Sequence, residues 1–265
     1  MRFNTKYIFG LIIGLFASCS NIAEDERLIY VEPAEVKRGV LIEDFTGQSC
    51  VNCPEAASLI HDLQKQYGEE NVIAVGIYSG PFGAPENPRD INLVTETGVA
   101  YWNRWFDNST GQPVGKINRN GISPDYGAWT NDVMKAMQSS TNVDIEAIAT
   151  YNDRDIDIVV EVTGPINKEM KLSVWLTEDN IIGYQKLMTG KPDRNYVHNH
   201  VFRQAVNGTW GESFVIKSDV ENRKYTVKNV SSDWNLENMN AVVFVTNSKD
   251  EDVQQVIQVK LQSKK

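Results

Sequence analysis

Cys50-Val51-Asn52-Cys53 is the group of residues in this chain best suited to chemistry. Two thiols at this spacing can close a disulfide, exchange it with another thiol, or supply half of a zinc site. A zinc site needs four ligands. The chain has three histidines to complete one: His61, His198 and His200. His61 lies eight residues beyond Cys53, more than two helical turns away and out of reach. No metal and no cofactor are therefore expected. A thiol pair that exchanges and a pair locked as an inert disulfide both remain open.

The pair needs a strand before it and a helix after it. Val40-Leu41-Ile42-Glu43-Asp44-Phe45 is a short apolar run that reads as a buried strand, and Thr46-Gly47-Gln48-Ser49 breaks it. Beyond Cys50, Ala56, Leu59, Ile60, Leu63 and Tyr67 fall on one helical face. Pro54 sits in the first turn, where its missing N–H costs nothing, and Gly68 stops the helix. The first thiol then lies at a helix N-terminus, whose free N–H groups and dipole favour the thiolate. Cys50 is expected to be the exposed nucleophile and Cys53 the more buried resolving thiol. Val72 to Tyr78 is a second apolar strand, which completes a β-α-β unit with parallel pairing.

Beyond it, Ser79 to Arg89 reads as a loop, Asp90 to Phe106 as a helix, Val114 to Asn118 as a weak strand, and Tyr126 to Met137 as a helix. From Asn142 the apolar period becomes two. Val143, Ile145, Ala147, Ala149 and Tyr151 alternate with polar residues, Asn152-Asp153-Arg154-Asp155 turns the chain, and Ile156, Ile158, Val160 and Val162 alternate again. The rhythm returns at Leu172 to Leu176, Tyr225 to Val227, Ala241 to Thr246 and Val253 to Leu261. Short strands joined by turns imply an all-β, immunoglobulin-like sandwich. His198 and His200 are expected on one face of a strand, as alternate residues. Trp102, Trp105, Trp129, Trp210 and Trp234 are candidates for core packing or for a sugar-stacking platform.

The N-terminus carries a different signal. Arg2 and Lys6 precede an apolar run from Tyr7 to Phe16, and Leu15-Phe16-Ala17-Ser18-Cys19 follows. A small residue before a cysteine at the end of such a run resembles a bacterial lipoprotein cleavage box, with Cys19 as the lipidated residue. The run is shorter than the roughly 20 residues of a spanning helix. Cleavage would remove Arg2 and Lys6 from the 26 basic residues, leaving 24 against 35 acidic ones. So acidic a chain is not expected to bind nucleic acid. With Cys19 assigned to lipid, Cys50 and Cys53 are left as a lone pair in an oxidising compartment.

Asp44-Phe45-Thr46-Gly47-Gln48-Ser49-Cys50-Val51-Asn52-Cys53 resembles the active-site stretch of the thioredoxin superfamily: Asp-Phe, four residues, then Cys-x-x-Cys. The resemblance implies that Asp44 is a buried acid moving the proton of the resolving thiol. It also implies that Pro113 is a cis-proline packed against the dithiol, where it guides a partner chain. Ser49 stands where the family keeps a Trp, and Val51-Asn52 matches neither common dipeptide, so the redox potential is not legible. The lipobox, Phe45-Thr46-Gly47 before Cys50-Val51-Asn52-Cys53-Pro54, and the Asn199-His200-Val201-Phe202-Arg203 to Asn207-Gly208-Thr209-Trp210-Gly211 run resemble the Bacteroidetes outer-membrane-protein-28 lipoprotein family.

These resemblances imply a signal peptide over 1–18, a tether over 19–36, an α/β thioredoxin-like domain over 37–140 and a β-sandwich over 141–265. They imply lipid anchoring to the outer membrane, facing either the periplasm or the outside. The expected activity is thiol–disulfide exchange on envelope proteins. The alternative is a non-enzymatic surface or periplasmic lipoprotein that binds a host or envelope partner, with Cys50–Cys53 as a structural disulfide.

Overall fold

The computed structural model describes residues 38–107, 109–218 and 220–264. The expected signal peptide, lipidated Cys19 and tether lie outside the described residues. In chain order the elements are β1 (Val40–Thr46), α1 (Cys53–Tyr67), β2 (Val72–Tyr78), α2 (Glu96–Trp105), β3 (Val114–Ile117) and α3 (Trp129–Met137). There follow β4 (Asp144–Asn152), β5 (Asp155–Thr163), β6 (Glu169–Glu178), β7 (Ile181–Lys186), β8 (Pro192–His198), β9 (Val201–Ala205) and β10 (Glu212–Val215). The last strands are β11 (Val220–Val227), β12 (Met239–Asn247), β13 (Val253–Lys260) and β14 (Gln262–Ser263). The protein is thus rich in β-sheet with few helices.

β1 and β2 pair in parallel from Val40↔Val72 to Thr46↔Tyr78, with α1 between them as the crossover. Every residue of both strands is buried. Their alternate side chains fill two different cores. Val40, Ile42, Val72 and Ala74 pack with α1 and α3. Leu41, Phe45, Ile73, Val75 and Ile77 pack with Tyr101 and Trp102 of α2 on the other face. A continuous apolar run without alternation is what a strand covered on both faces requires. Gly68, at φ 92°, ends α1 as its sequence position suggests.

β3 pairs antiparallel with β1 at one edge, and the same sheet continues through β9, β6, β12 and β13. The expected division at residue 140 falls between α3 and β4, yet this sheet draws strands from both sides of it. Cross-linking follows the same pattern: Gly76 N donates to the His200 carbonyl at 2.8 Å, which docks the start of β9 on β2. A second sheet, in the order β11-β5-β4-β14, covers β6 and β12 over a core that includes Ile156, Ile158, Leu172, Val174, Ala241 and Val243.

Several elements depart from the sequence reading. The expected helix from Asp90 begins only at Glu96, because the Thr95 hydroxyl caps it by accepting from Gly98 N at 3.0 Å. The helix expected from Tyr126 is a 3-10 turn up to Ala128 and α-helical only from Trp129. His198 and His200 do not share a strand face. His198 ends β8, and His200 sits at φ 56° in the turn to β9. β7 and β8, which periodicity did not reveal, form a separate two-stranded hairpin. Trp102 and Trp129 are core residues.

Candidate functional site

The dithiol stands where β1 hands over to α1. Cys50 and Cys53 are joined as a disulfide, with Cα atoms 5.5 Å apart. Cys53 is the first residue of α1 and Pro54 follows it, so Cys50 lies just ahead of the helix N-terminus. The loop that carries it is fixed by its backbone. Gln48 N donates to the Gly83 carbonyl and Ser49 N to that of Phe82, so residues 47–49 run against the loop after β2. Gly47 permits this approach: a Cβ there would lie 2.1 Å from the Phe82 carbonyl oxygen. Ser49 donates its hydroxyl to Ala84 O at 2.6 Å.

Pro113 is buried immediately before β3, and the Gln112–Pro113 peptide bond is cis. Gln112 ties this turn to the dithiol loop. Its amide donates to the carbonyls of Thr46 at 2.8 Å and Ser79 at 2.9 Å, and its oxygen accepts from Phe82 N at 3.0 Å. β1, the loop after β2 and the Gln112–Pro113 turn therefore meet at the start of the dithiol loop.

Cys50 and Cys53 are equally buried, each 3 % exposed, so the expected contrast between an open nucleophile and a hidden partner is absent. The cause is the β7–β8 hairpin. Gln185 on β7 donates to Cys50 O at 2.8 Å and to Gly47 O at 3.3 Å. Lys186 N donates to Gln48 O at 2.8 Å. Gln48, itself fully buried, donates to Tyr184 O and Ile91 O and accepts from Leu93 N. Sequence reasoning missed Gln48, Gln185 and the hairpin. β7 lacks clean alternation and β8 is mostly polar, so neither carries a strand period.

Beside Cys53 lies a cavity of about 270 Å³, whose walls include Asp44, Tyr78, Tyr196 and His198. Asp44 is 4 % exposed, and its Oδ1 has no hydrogen-bond partner among the described residues. Burial raises its carboxyl to about 8, against the smaller lowering effect of a hydrogen bond from Thr46. Asp44 is thus a neutral acid at pH 7 and holds a proton it can give up. Burial likewise pushes the Tyr78 hydroxyl far above its ordinary value, with the Asp44 charge adding to the effect.

His198 closes the far wall. Its Nε2 lies 3.2 Å from the Tyr184 carbonyl, which can only accept, so Nε2 carries the proton. Nδ1 then accepts from the Tyr78 hydroxyl at 2.7 Å. Burial lowers His198 to about 4, which keeps it neutral. Cys53, Asp44, Tyr78 and His198 come together here, whereas Pro113 is not among the residues that line the cavity. Among the described residues no group of three or more His, Cys, Asp or Glu side chains is placed to hold a metal.

A buried disulfide at a strand–helix junction, with a buried and unpartnered carboxyl in a cavity beside it, gives this β-rich scaffold the geometry of a dithiol site. The chain belongs to the outer membrane protein Omp28 family, whose model matches residues 99–265. Comparison with curated proteins finds no match. Among solved structures it resembles HBP35 of Porphyromonas gingivalis, with a TM-score of 0.67 and 17% identity over 87% of this chain and 77% of that one. It also resembles protein AGR_C_4864 from Agrobacterium tumefaciens, with a TM-score of 0.55 and 15% identity over 85% and 96% of the two chains. A domain of the outer membrane lipoprotein Omp28 from Porphyromonas gingivalis is 28% identical over 48% of this chain and 93% of that one, with a TM-score of 0.35. Among the described residues no helix is long and apolar enough to cross a membrane.

Proposed function

We propose that this is an outer-membrane lipoprotein, anchored through Cys19, whose thioredoxin-like Cys50–Cys53 pair exchanges between disulfide and dithiol with thiols of the cell envelope. The observation that carries the reading is Asp44. Its buried, unpartnered carboxyl lines the same cavity as Cys53. A purely structural disulfide has no use for a desolvated acid at its side, whereas an exchanging one must deliver a proton to the thiolate it releases. In this reading the cysteines are the redox pair, Asp44 moves the Cys53 proton, and Pro113 shapes the approach to the dithiol. The second half of the chain, read as an immunoglobulin-like sandwich, supports the dithiol half.

A second reading rests on the equal burial of the two cysteines. In it the disulfide is a staple, and the protein is a non-enzymatic binding lipoprotein that contacts an envelope or host partner through its β half. A redox titration of Cys50–Cys53 separates the two. Exchange requires a potential above about −300 mV, within the range of known exchange proteins, whereas a value below it marks a bond that resists exchange. Protease shaving of intact cells decides whether the anchored body faces the periplasm or the outside. Cleavage means outside, and protection until the envelope is opened means periplasm.

A further inference from the structure

The disulfide has two sides, and they are closed by different means. Over Cys50 lies backbone and buried amide. The Gln185 side chain bonds the Cys50 carbonyl, Lys186 N bonds Gln48 O, and Gln48 bonds Tyr184 in return. At the hairpin's outer edge Glu86 accepts from both Tyr184 and Lys186, and Arg194 pairs with Asp90. A protein thiol reaching Cys50 would have to displace this whole strand. Beside Cys53, itself no more exposed than Cys50, lies a cavity instead. The cavity of about 270 Å³ is lined by Cys53 and not by Cys50, and the exposed Ala57 and Ser58 of α1 stand at its rim. Drug-sized ligands occupy pockets of about 300–1,000 Å³, so this space suits a smaller molecule. Its walls offer polar partners for one: the unpartnered Asp44 Oδ1 and Tyr196.

We propose that the exchange partner is a low-molecular-weight thiol of amino-acid size, which reaches the Cys53 sulfur through this cavity while the β7–β8 hairpin bars protein thiols from Cys50. The proposal rests on the exchange reading above and names its substrate class. The thiolate of the small molecule attacks the Cys53 sulfur. A bond forms between the two sulfurs, the Cys50–Cys53 bond breaks, and Cys50 leaves as a thiolate ahead of the α1 N-terminus. A second small thiolate attacks the sulfur of the first, releasing the oxidised small disulfide and the Cys53 thiolate. That thiolate takes the Asp44 proton, and solvent protons replace it and neutralise Cys50. Two small thiols are oxidised and one protein disulfide is reduced.

The test follows reduction of the full-length protein by alkylation of Cys50 and Cys53 and peptide mass spectrometry. The thiols are free cysteine and reduced, unfolded ribonuclease at equal thiol concentration. Cysteine is expected to reduce the pair about a hundredfold faster than ribonuclease, since access sets the rate. Ala57→Trp at the cavity rim is expected to slow cysteine about tenfold, and Gln185→Ala to speed ribonuclease by a similar factor. Equal rates for the two thiols in the natural protein, with no slowing in Ala57→Trp, would overturn the cavity route and leave exchange standing. Resistance to both thiols would overturn the exchange reading as well. Where Ala57→Trp fails to fold, Ser58→Trp on the same rim is expected to give the same slowing, and its absence would overturn the cavity route.

Discussion

Glu43 and Asp44 are neighbours on β1, both buried, and they face opposite sides of the sheet. Glu43 is fully buried and fully paired. Arg119 Nε donates to both of its oxygens at 3.1 Å, and Nη2 adds a bond at 2.9 Å. The Arg119 guanidinium lies against the rings of Trp105, Trp175 and Phe244. Asp44, one residue on, has no ion pair among the described residues and keeps an oxygen unpartnered. The same strand thus buries one acid against an arginine and the next with an oxygen left unpartnered. The first is tied into the packing between β1 and the neighbouring strands. The second is left with a proton and a cavity beside a disulfide. Burial alone therefore does not mark a functional acid. What marks Asp44 is burial without compensation.

The largest expected effect breaks the paired side. Glu43→Gln leaves the Arg119 charge buried without its partner, and denaturant unfolding should show a loss of about 3–5 kcal/mol. Asp44→Asn should not destabilise the protein at pH 7, because the group it replaces is already neutral in the folded state. A comparable loss in both variants would erase the distinction.

The next effect is in the pH dependence. The folded Asp44 keeps its proton up to about pH 8, while the unfolded carboxyl loses it near 3.8. Between those values the folded state binds more protons, so stability falls as pH rises, by about 1.4 kcal/mol per pH unit from this group. Subtracting the Asp44→Asn curve from that of the natural protein should isolate this slope. His198 runs the other way. Its folded value of about 4 lies below its ordinary 6.5, so between those values the unfolded state binds more protons and stability rises with pH. The two slopes oppose each other between about pH 4 and 6.5. His198→Gln should therefore steepen the fall with pH in that window, and an unchanged profile would place His198 outside the buried set.

The smallest effect is at the hairpin rim. Arg194 is more than half exposed, and removing its pair with Asp90 by Arg194→Ala should change stability by less than about 1 kcal/mol. A larger loss would mean that the rim, and not the buried glutamines, holds the hairpin over Cys50.

The β-α-β unit and its dithiol were legible because strong local signals agree there. Apolar runs mark strands covered on both faces, and a helical face opens with Pro54 and closes at Gly68. The β4–β5 hairpin was legible from its alternation and its Asn152–Asp155 turn. The cover over Cys50 was not, because Gln48 and Gln185 are polar residues buried by partners distant in sequence, and no local period reports them. The Asn199–Arg203 run drew attention as a motif, and its observed work is structural. The Asn199 side chain accepts from Asn180 N, His200 O anchors β9 to β2, and Arg203 pairs with Glu178. Glu43 gives no signal of its own beside Asp44, since the arginine that pairs with it lies 76 residues away.

The most direct test of the account is the reduction potential of Cys50–Cys53 measured from pH 6 to 9 in the natural protein and in Asp44→Asn. If Asp44 moves the proton of the exchanging pair, the natural protein's curve has an inflection near pH 8 that the variant's lacks, beyond the bends both share from the ionising cysteine thiols. Superimposable curves would contradict it and would leave Asp44 a buried acid with no part in the chemistry of the disulfide.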